Sequence, residues 1–472
     1  MYENTVFFRT FAADCISPFK INFMSYQFAK YATHYRNLTY LGVPIIIGQL
    51  GNIVLSFADT LMIGHHSTQE LAAAAFVNNM FNLVIIFALG FTYAVTALVG
   101  NLYGQEKTGR IGELMKSAVA ANTCMALILV AGMSLLYLNL HRLGQPEELL
   151  PLMRSYFLIQ LVSLPFVCWF NTFKQFADGI TDTRLPMWVL IAGNVMNVCG
   201  NWVLIYGKFG FPEMGLDGAG LSTMASRIMM TVVMATIFFF SKRYKEYHKG
   251  WQQGRLNRTD FRQITSIGLP LALQMGMETA AFSLSSLMVG WIGTTALAAH
   301  QVMLTISQLG YMIYYGLASA VAVRVSNFMG QRDYEAVRRN VTAGFHLVLL
   351  LAVVTSVPIF LLRNSIGGLF TDNAAVTSMV SLTVIPFMVY QFGDGLQCNY
   401  ANAMRGIAYV KPLIWIAFIA FFIVSLPLGY LLGIQLGYGL VGIWFAFPFG
   451  LTTAGVLYYL YYKKGLRQIE AR

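Results

Sequence analysis

Charged residues are scarce in this 472-residue chain: Asp, Glu, Lys and Arg make up 11% of it, where a soluble globular domain carries about 25%. So little charge cannot coat a water-soluble domain. The 57% hydrophobic content and mean hydropathy of +0.60 point instead to a polytopic membrane protein. A GxxxxGK[ST] phosphate loop is missing, which removes an ATP-driven pump from consideration. No HExxH occurs, and His65, His66, His141, His248, His300 and His346 show no metal-ligand spacing beyond one adjacent pair. His300, flanked by apolar residues in AAHQV, reads as a helix-packing residue. Cys124, Cys168, Cys199 and Cys398 lie in apolar segments and Cys15 in a polar arm, so the cysteines form no disulfide framework. Residues 1–37 hold no continuous apolar core of about 7–15 residues, and a cleavable signal peptide is not expected. Met1 and Met24 both stand open as the start.

What the chain does contain is apolar sequence in long runs. At about 20 residues per crossing, spans fall at 38–63, 71–102, 114–138, 152–180, 185–206 and 218–240, and then at 264–291, 297–328, 337–362, 374–404, 412–432 and 438–462. A net charge of +11 would suggest nucleic acid in a soluble protein, but here the basic residues lie between spans and report orientation. Nucleic-acid binding is therefore discarded. With the N-terminus in the cytoplasm, 23 of the 31 Lys and Arg residues fall on the cytoplasmic side, Arg405 in the tenth connection among them. Only Arg142, Arg154, Lys208 and Arg363 fall outside, which places both termini inside a multi-pass protein of the cell inner membrane. Lys116, Lys174 and Arg324 sit in spans near cytoplasmic ends, where they can snorkel, whereas Arg227 is deep and either pairs with a carboxylate or reaches a polar cavity.

The charged connection 241–262 divides the spans into two sets of six, and a repeat crosses it without gaps. At a constant offset of 226 residues, LGVP at 41–44 falls on IGLP at 267–270, Leu61-Met62-x-Gly64 on Leu287-Met288-x-Gly290, and Gly104-Gln105 on Gly330-Gln331. An even number of spans per half gives both halves the same orientation. The expected fold is all-α: twelve transmembrane helices in two six-helix bundles related by a pseudo-twofold axis along the membrane normal. The expected organisation is an arm (1–37), an N-terminal bundle (38–240), a basic linker (241–262) and a C-terminal bundle (263–472).

Three acids stand inside spans: Asp59 toward the outer end of the first, Glu278 mid-way along the seventh and Asp394 mid-way along the tenth. Burying such a charge costs at least about 2.5–3.5 kcal/mol, which marks each as a functional candidate; the bland reading of Glu278 is a protonated side chain bonded to a neighbouring helix. Three acids against one deep base bias a cavity toward protons, metal cations and organic cations. Tyr390 and Asp394 share one helix face, as do Asn197 and Asn201, a pair that serves equally well as interhelical glue. Pro44 and Pro270 take matching places early in each half, where a kink either gates or stays fixed.

At these residues the chain resembles the multidrug and toxic compound extrusion family, in its NorM-like branch. FADT at 57–60, NVMNVCGN ending at Asn201, METAAFS around Glu278, AAHQV at 298–302 and VYQFGD at 389–394, followed by AMRG, carry the resemblance. The resemblance implies a cation site in the C-terminal half on Glu278, Tyr390 and Asp394; the two carboxylates, Glu278 and Asp394, offer the hard oxygens an alkali cation needs, so sodium is the first expectation there and protons the second. It implies a cation or substrate site in the N-terminal half on Asp59, Asn197, Asn201 and Thr223. The implied activity is export of small organic cations against sodium or protons, by alternating access, from a chain that is not an enzyme. It needs no cofactor, has membrane lipid as its surroundings, and acts as a monomer. A lipid-linked oligosaccharide flippase of the same superfamily would need a more basic cavity, and an integral membrane transferase a polar catalytic cluster in longer loops.

Overall fold

Helix makes up nearly all of the computed structural model, which describes residues 18–144 and 146–471, with side chains from residue 30 onward. Met1, Cys15 and the rest of 1–17 lie outside the described residues. The N-terminal half comprises α1 (Pro18–His66), α2 (Thr68–Gly104), α3 (Thr108–Leu138), α4 (Leu150–Gly179), α5 (Arg184–Ile205) and α6 (Gly215–Phe240). The C-terminal half comprises α7 (Arg258–Ile292), α8 (Thr294–Gln331), α9 (Tyr334–Leu361), α10 (Ala374–Gly406), α11 (Lys411–Gln435) and α12 (Gly439–Glu470). Eleven of these are long and apolar enough to cross a membrane on composition alone. The twelfth, α7, carries Arg258, Asp260, Arg262 and Glu278 within its 35 residues, yet it packs against α2 and α11 as a full crossing.

Local chemistry sets the helix ends. Ser67 precedes Glu70 by three residues, and its hydroxyl caps the Glu70 amide at 3.5 Å to start α2. Asn373 Oδ1 accepts from the Ala375 amide at 3.0 Å to start α10. Several helices run beyond the hydropathy reading, the first and the seventh among them. The first helix already runs from Pro18, since nothing between there and the first span breaks it. The seventh begins at Arg258, because Asn257 Oδ1 accepts from the Thr259 amide at 2.9 Å. Between the halves, a short linker helix (Lys245–Gln253) lies against the start of α3, where Gly112 and Gly250 let the backbones touch. Lys116 Nζ then donates to the Gly254 carbonyl at 2.9 Å and Arg110 pairs with Asp260 at 2.5 Å, so the linker is fastened to the N-terminal half.

Where the backbones of the two halves come closest, small residues stand at the contact. Lipid supplies no hydrophobic drive between membrane helices, so close backbone approach has to supply the attraction. A Cβ on Gly90 would stand 2.7 Å from Ala272 Cα, and one on Gly316 would stand 2.9 Å from the Ile46 amide. Gly268 would meet the Phe91 carbonyl at 2.7 Å and Gly42 the Leu317 Cα at 3.2 Å. Gly104 faces the Asn327 carbonyl, and Gly330 faces that of Asn101. In every pair, both the glycine and its partner are displaced by 226 residues from those of the matching contact. The repeat is therefore a true pseudo-twofold relation at the interface.

All these contacts lie at the end that bears the basic connections, the basic end. One hydrophobic core, with Phe91, Leu271, Tyr314 and Leu317, runs through both halves there. At the opposite end the core divides: Ile63, Phe81 and Phe157 form one cluster, Val289, Trp444 and Ile443 another. Between them opens a cleft. Its walls are marked by exposed polar residues at helical spacing inside the spans: Asn52, Ser56 and Thr60 on α1, Asn79 and Asn82 on α2, and Gln301, Thr305 and Gln308 on α8.

Candidate functional site

In the C-terminal half, Gln274 and Glu278 stand one turn apart on α7, and Gln274 Nε2 donates to Glu278 Oε2 at 3.0 Å. From α10, Gln397 Nε2 donates to the other oxygen at 3.0 Å. Three residues before Gln397 lies Asp394, 2% exposed, which accepts a close hydrogen bond from the Tyr314 hydroxyl of α8. Tyr390, one turn earlier, accepts from Ser307 at 3.1 Å and rests against Phe387, Trp444 and Phe447. His300 is fully buried, bonding Trp444 Nε1 at 3.1 Å and Ser286 at 2.9 Å. The structure thus gathers Glu278, Tyr390 and Asp394 where three helices converge, with Gln397 bridging from the helix of Asp394 to Glu278.

A cavity of about 40 Å³ opens beside Glu278, walled by Tyr93, Gln274, Tyr311, Tyr315 and Gln397. Gln397 Oε1 is buried there with no donor. An unsatisfied amide oxygen next to a carboxylate is a fitting pair of hard ligands for an alkali cation. A proton would use the carboxylate alone.

The N-terminal half repeats this logic with different residues. Asn201 Nδ2 of α5 donates to Asp59 Oδ1 of α1 at 2.5 Å. Asn197, one turn back, turns its amide nitrogen to the same oxygen at 2.9 Å and its carbonyl to Thr223 Oγ1 of α6 at 3.0 Å. All four sequence candidates meet, and Asn201 Oδ1 is left buried without a donor, as Gln397 Oε1 is in the other half. Nearby, Arg227 donates to Gln160 at 2.7 Å and to Ser163 at 2.5 Å, while Gln160 continues to Tyr156 and Asn78. Among the described residues no carboxylate pairs with Arg227. Nor does any hydrogen bond join the Asp59 group to the Glu278 group. Pro44 and Pro270 sit two residues beyond Gly42 and Gly268, in the packed interface rather than at either carboxylate.

One assignment is corrected. Arg405, placed in the tenth connection by hydropathy, lies inside α10 and is 5% exposed, because the helix runs on to Gly406 and packs its last turn against Val325. Two buried bases, Arg227 and Arg405, now stand against the three acids. Gln274 and Gln397 were also missed, although their spacing of one turn from Glu278 and Asp394 could have found them. Tyr314 offers no such signal, since it reaches Asp394 from another helix.

The MatE family model matches residues 44–203 and 270–431, covering both halves and omitting the linker. Among curated proteins, the chain is 26% identical to the probable multidrug resistance protein NorM of Photorhabdus laumondii, over 93% of this chain and 97% of that one. It is 28% identical to the multidrug resistance protein NorM of Aliivibrio fischeri, over 91% and 94% respectively. Among solved structures, the MATE transporter VcmN of Vibrio cholerae superposes with a TM-score of 0.85 at 18% identity, covering 94% of this chain and all of that one.

Proposed function

We propose that this chain, which belongs to the MatE family, exports small organic cations across the cell membrane in exchange for an inward-moving cation, sodium in the first place and protons in the second. The observation that carries the reading is the pair of carboxylate centres, one in each half, each with an unpartnered amide oxygen beside it. The cleft flanked by the two halves opens at one end only, as a single state of an alternating-access cycle does. Moving a positive charge outward against an inside-negative potential costs about 2.3 kcal/mol per 100 mV, so at least one cation has to travel inward in return. Charge selection follows: vesicles holding the purified protein should export a planar cationic dye and leave an anionic dye of the same size behind. Equal export of the two would overturn the reading, and imposing sodium and pH gradients separately identifies the driving ion.

In this reading the basic end is cytoplasmic and the open cleft faces outward. Cysteines placed by Lys249→Cys and Gln468→Cys should resist a membrane-impermeant thiol reagent in intact cells, while Glu148→Cys should label. Labelling at position 249 from outside would invert the direction of the cycle.

A further inference from the structure

Arg405 carries a full charge at 5% exposure, yet among the described residues no carboxylate lies within ion-pair distance of it. Its guanidinium carbon sits 3.6 Å from the ring centre of Tyr93 on α2. Nη2 donates to Gln175 Oε1 on α4 at 3.5 Å and Nη1 to Asn402 Oδ1 on its own helix at 3.3 Å, while Nε has no partner. Two of these three neighbours belong to the other half. Buried charges are ordinarily paired, so an isolated one at a subunit-like seam calls for a role that packing does not supply.

Its position indicates that role. Beyond the cavity beside Glu278 lies a second, of about 10 Å³, walled by Gln49, Lys174, Asp178 and Ser319 toward the basic end. Tyr93, Tyr315 and Arg405 border both cavities, and the two tyrosine hydroxyls are hydrogen-bonded to each other. These three side chains form the partition. In the second cavity Asp178 Oδ2 is held by Lys174 Nζ at 2.8 Å, so that although Oδ1 has no partner, the acid and its base together leave the far side without net negative charge. We infer that Arg405 is a charge barrier that confines the coupling cation to the Glu278 cavity while the halves are closed at the basic end.

This inference rests on the cation-exchange reading above. A fixed arginine charge on a narrow path excludes cations by repulsion, as it does in selective pores. Because Tyr93 and Gln175 come from the opposite half, parting the halves at this end removes the steric partition and displaces the charge in one movement. Release of the cation is then tied to the conformational step.

The test is leakage without drug. Wild type, Arg405→Gln, Arg405→Met and Arg405→Lys are reconstituted with sodium- and pH-sensitive dyes inside, and an inward gradient of each cation is imposed. Neutralising an unpaired buried charge removes a desolvation cost, so the Gln and Met variants should fold. Both should leak sodium or protons about tenfold faster than wild type or more, which corresponds to one decade of barrier crossing. Arg405→Lys, which keeps the charge, should stay tight. Tight Gln and Met variants that still bind a fluorescent organic cation overturn the inference, as does a leak through Arg405→Lys equal to theirs, since the effect would then be packing. Wild type that exchanges neither cation for dye overturns the export reading and this inference together.

Discussion

Glu278→Gln should lower gradient-driven export about 5- to 150-fold, the range of a coupling free energy of about 1–3 kcal/mol, while expression and drug binding persist. The substitution keeps the shape of the side chain and turns one oxygen into a donor. Gln274 and Gln397 already present N–H groups to both oxygens at 3.0 Å, so donor would then meet donor on one side. An ion drives a conformational change only through its difference in affinity between the two states, and without the carboxylate that difference collapses. Purified protein loaded with a fluorescent organic cation and titrated with sodium, then with acid, reads it directly. Asp394→Asn should behave alike, and Tyr390→Phe less severely, because Tyr390 carries no carboxylate and Asp394 keeps the Tyr314 hydroxyl as a donor. Asp59→Asn should also impair export but leave ion binding in the C-terminal half measurable. Release from Glu278→Gln at the wild-type sodium concentration would move the coupling site to Asp59.

A comparable loss is expected from a substitution that touches neither carboxylate. Gly104→Leu drives a side chain into the Asn327 carbonyl, and Gly330→Leu does the same to Asn101. Overpacking of this kind costs about 1–3 kcal/mol in a core that can yield; here the obstacle is backbone on both sides, and the halves can relieve it by parting. Either variant should favour the state open at the basic end and bring transport close to background. Spin labels on the connections after α2 and α8 should report a longer separation than in wild type. Gly132→Leu, at a position with nothing within 4 Å, is the control and should change neither quantity. Unchanged distances with full transport in Gly104→Leu would show that these contacts do not hold the end closed.

The sequence made the acids legible because each stands alone in apolar surroundings, and the repeat made the symmetry legible because no gap interrupts it. Their neutral partners were harder to read. Gln397 and Gln274 belong to polar residue types that are common in membrane helices, and only their turn-by-turn relation to an acid distinguishes them. Tyr314 depends on how α8 crosses α10, which no local pattern encodes. Arg405 shows the limit most clearly. Hydropathy assigns a residue by its own transfer cost, whereas Tyr93 and Gln175 of the other half change what its burial means.

The reciprocal glycine contacts also carry a historical reading. When residue i of one half touches j of the other, and the counterpart of i touches the counterpart of j, the interface has the geometry of an isologous homodimer. A six-helix ancestor could have met a second copy of itself through this same patch before fusion joined the two. Once joined, the copies were free to diverge: Glu278 answers to Asn52 across the 226-residue offset and Asp59 to Ser285, so each half lost or never acquired the acid of the other. Asn327 donates at 3.1 Å to the Gly100 and Gly179 carbonyls of the opposite half. Its counterpart Asn101 makes no such pair of bonds among the described residues. The fused chain thus keeps the contact geometry of a dimer while dividing its chemistry between two unlike subunits.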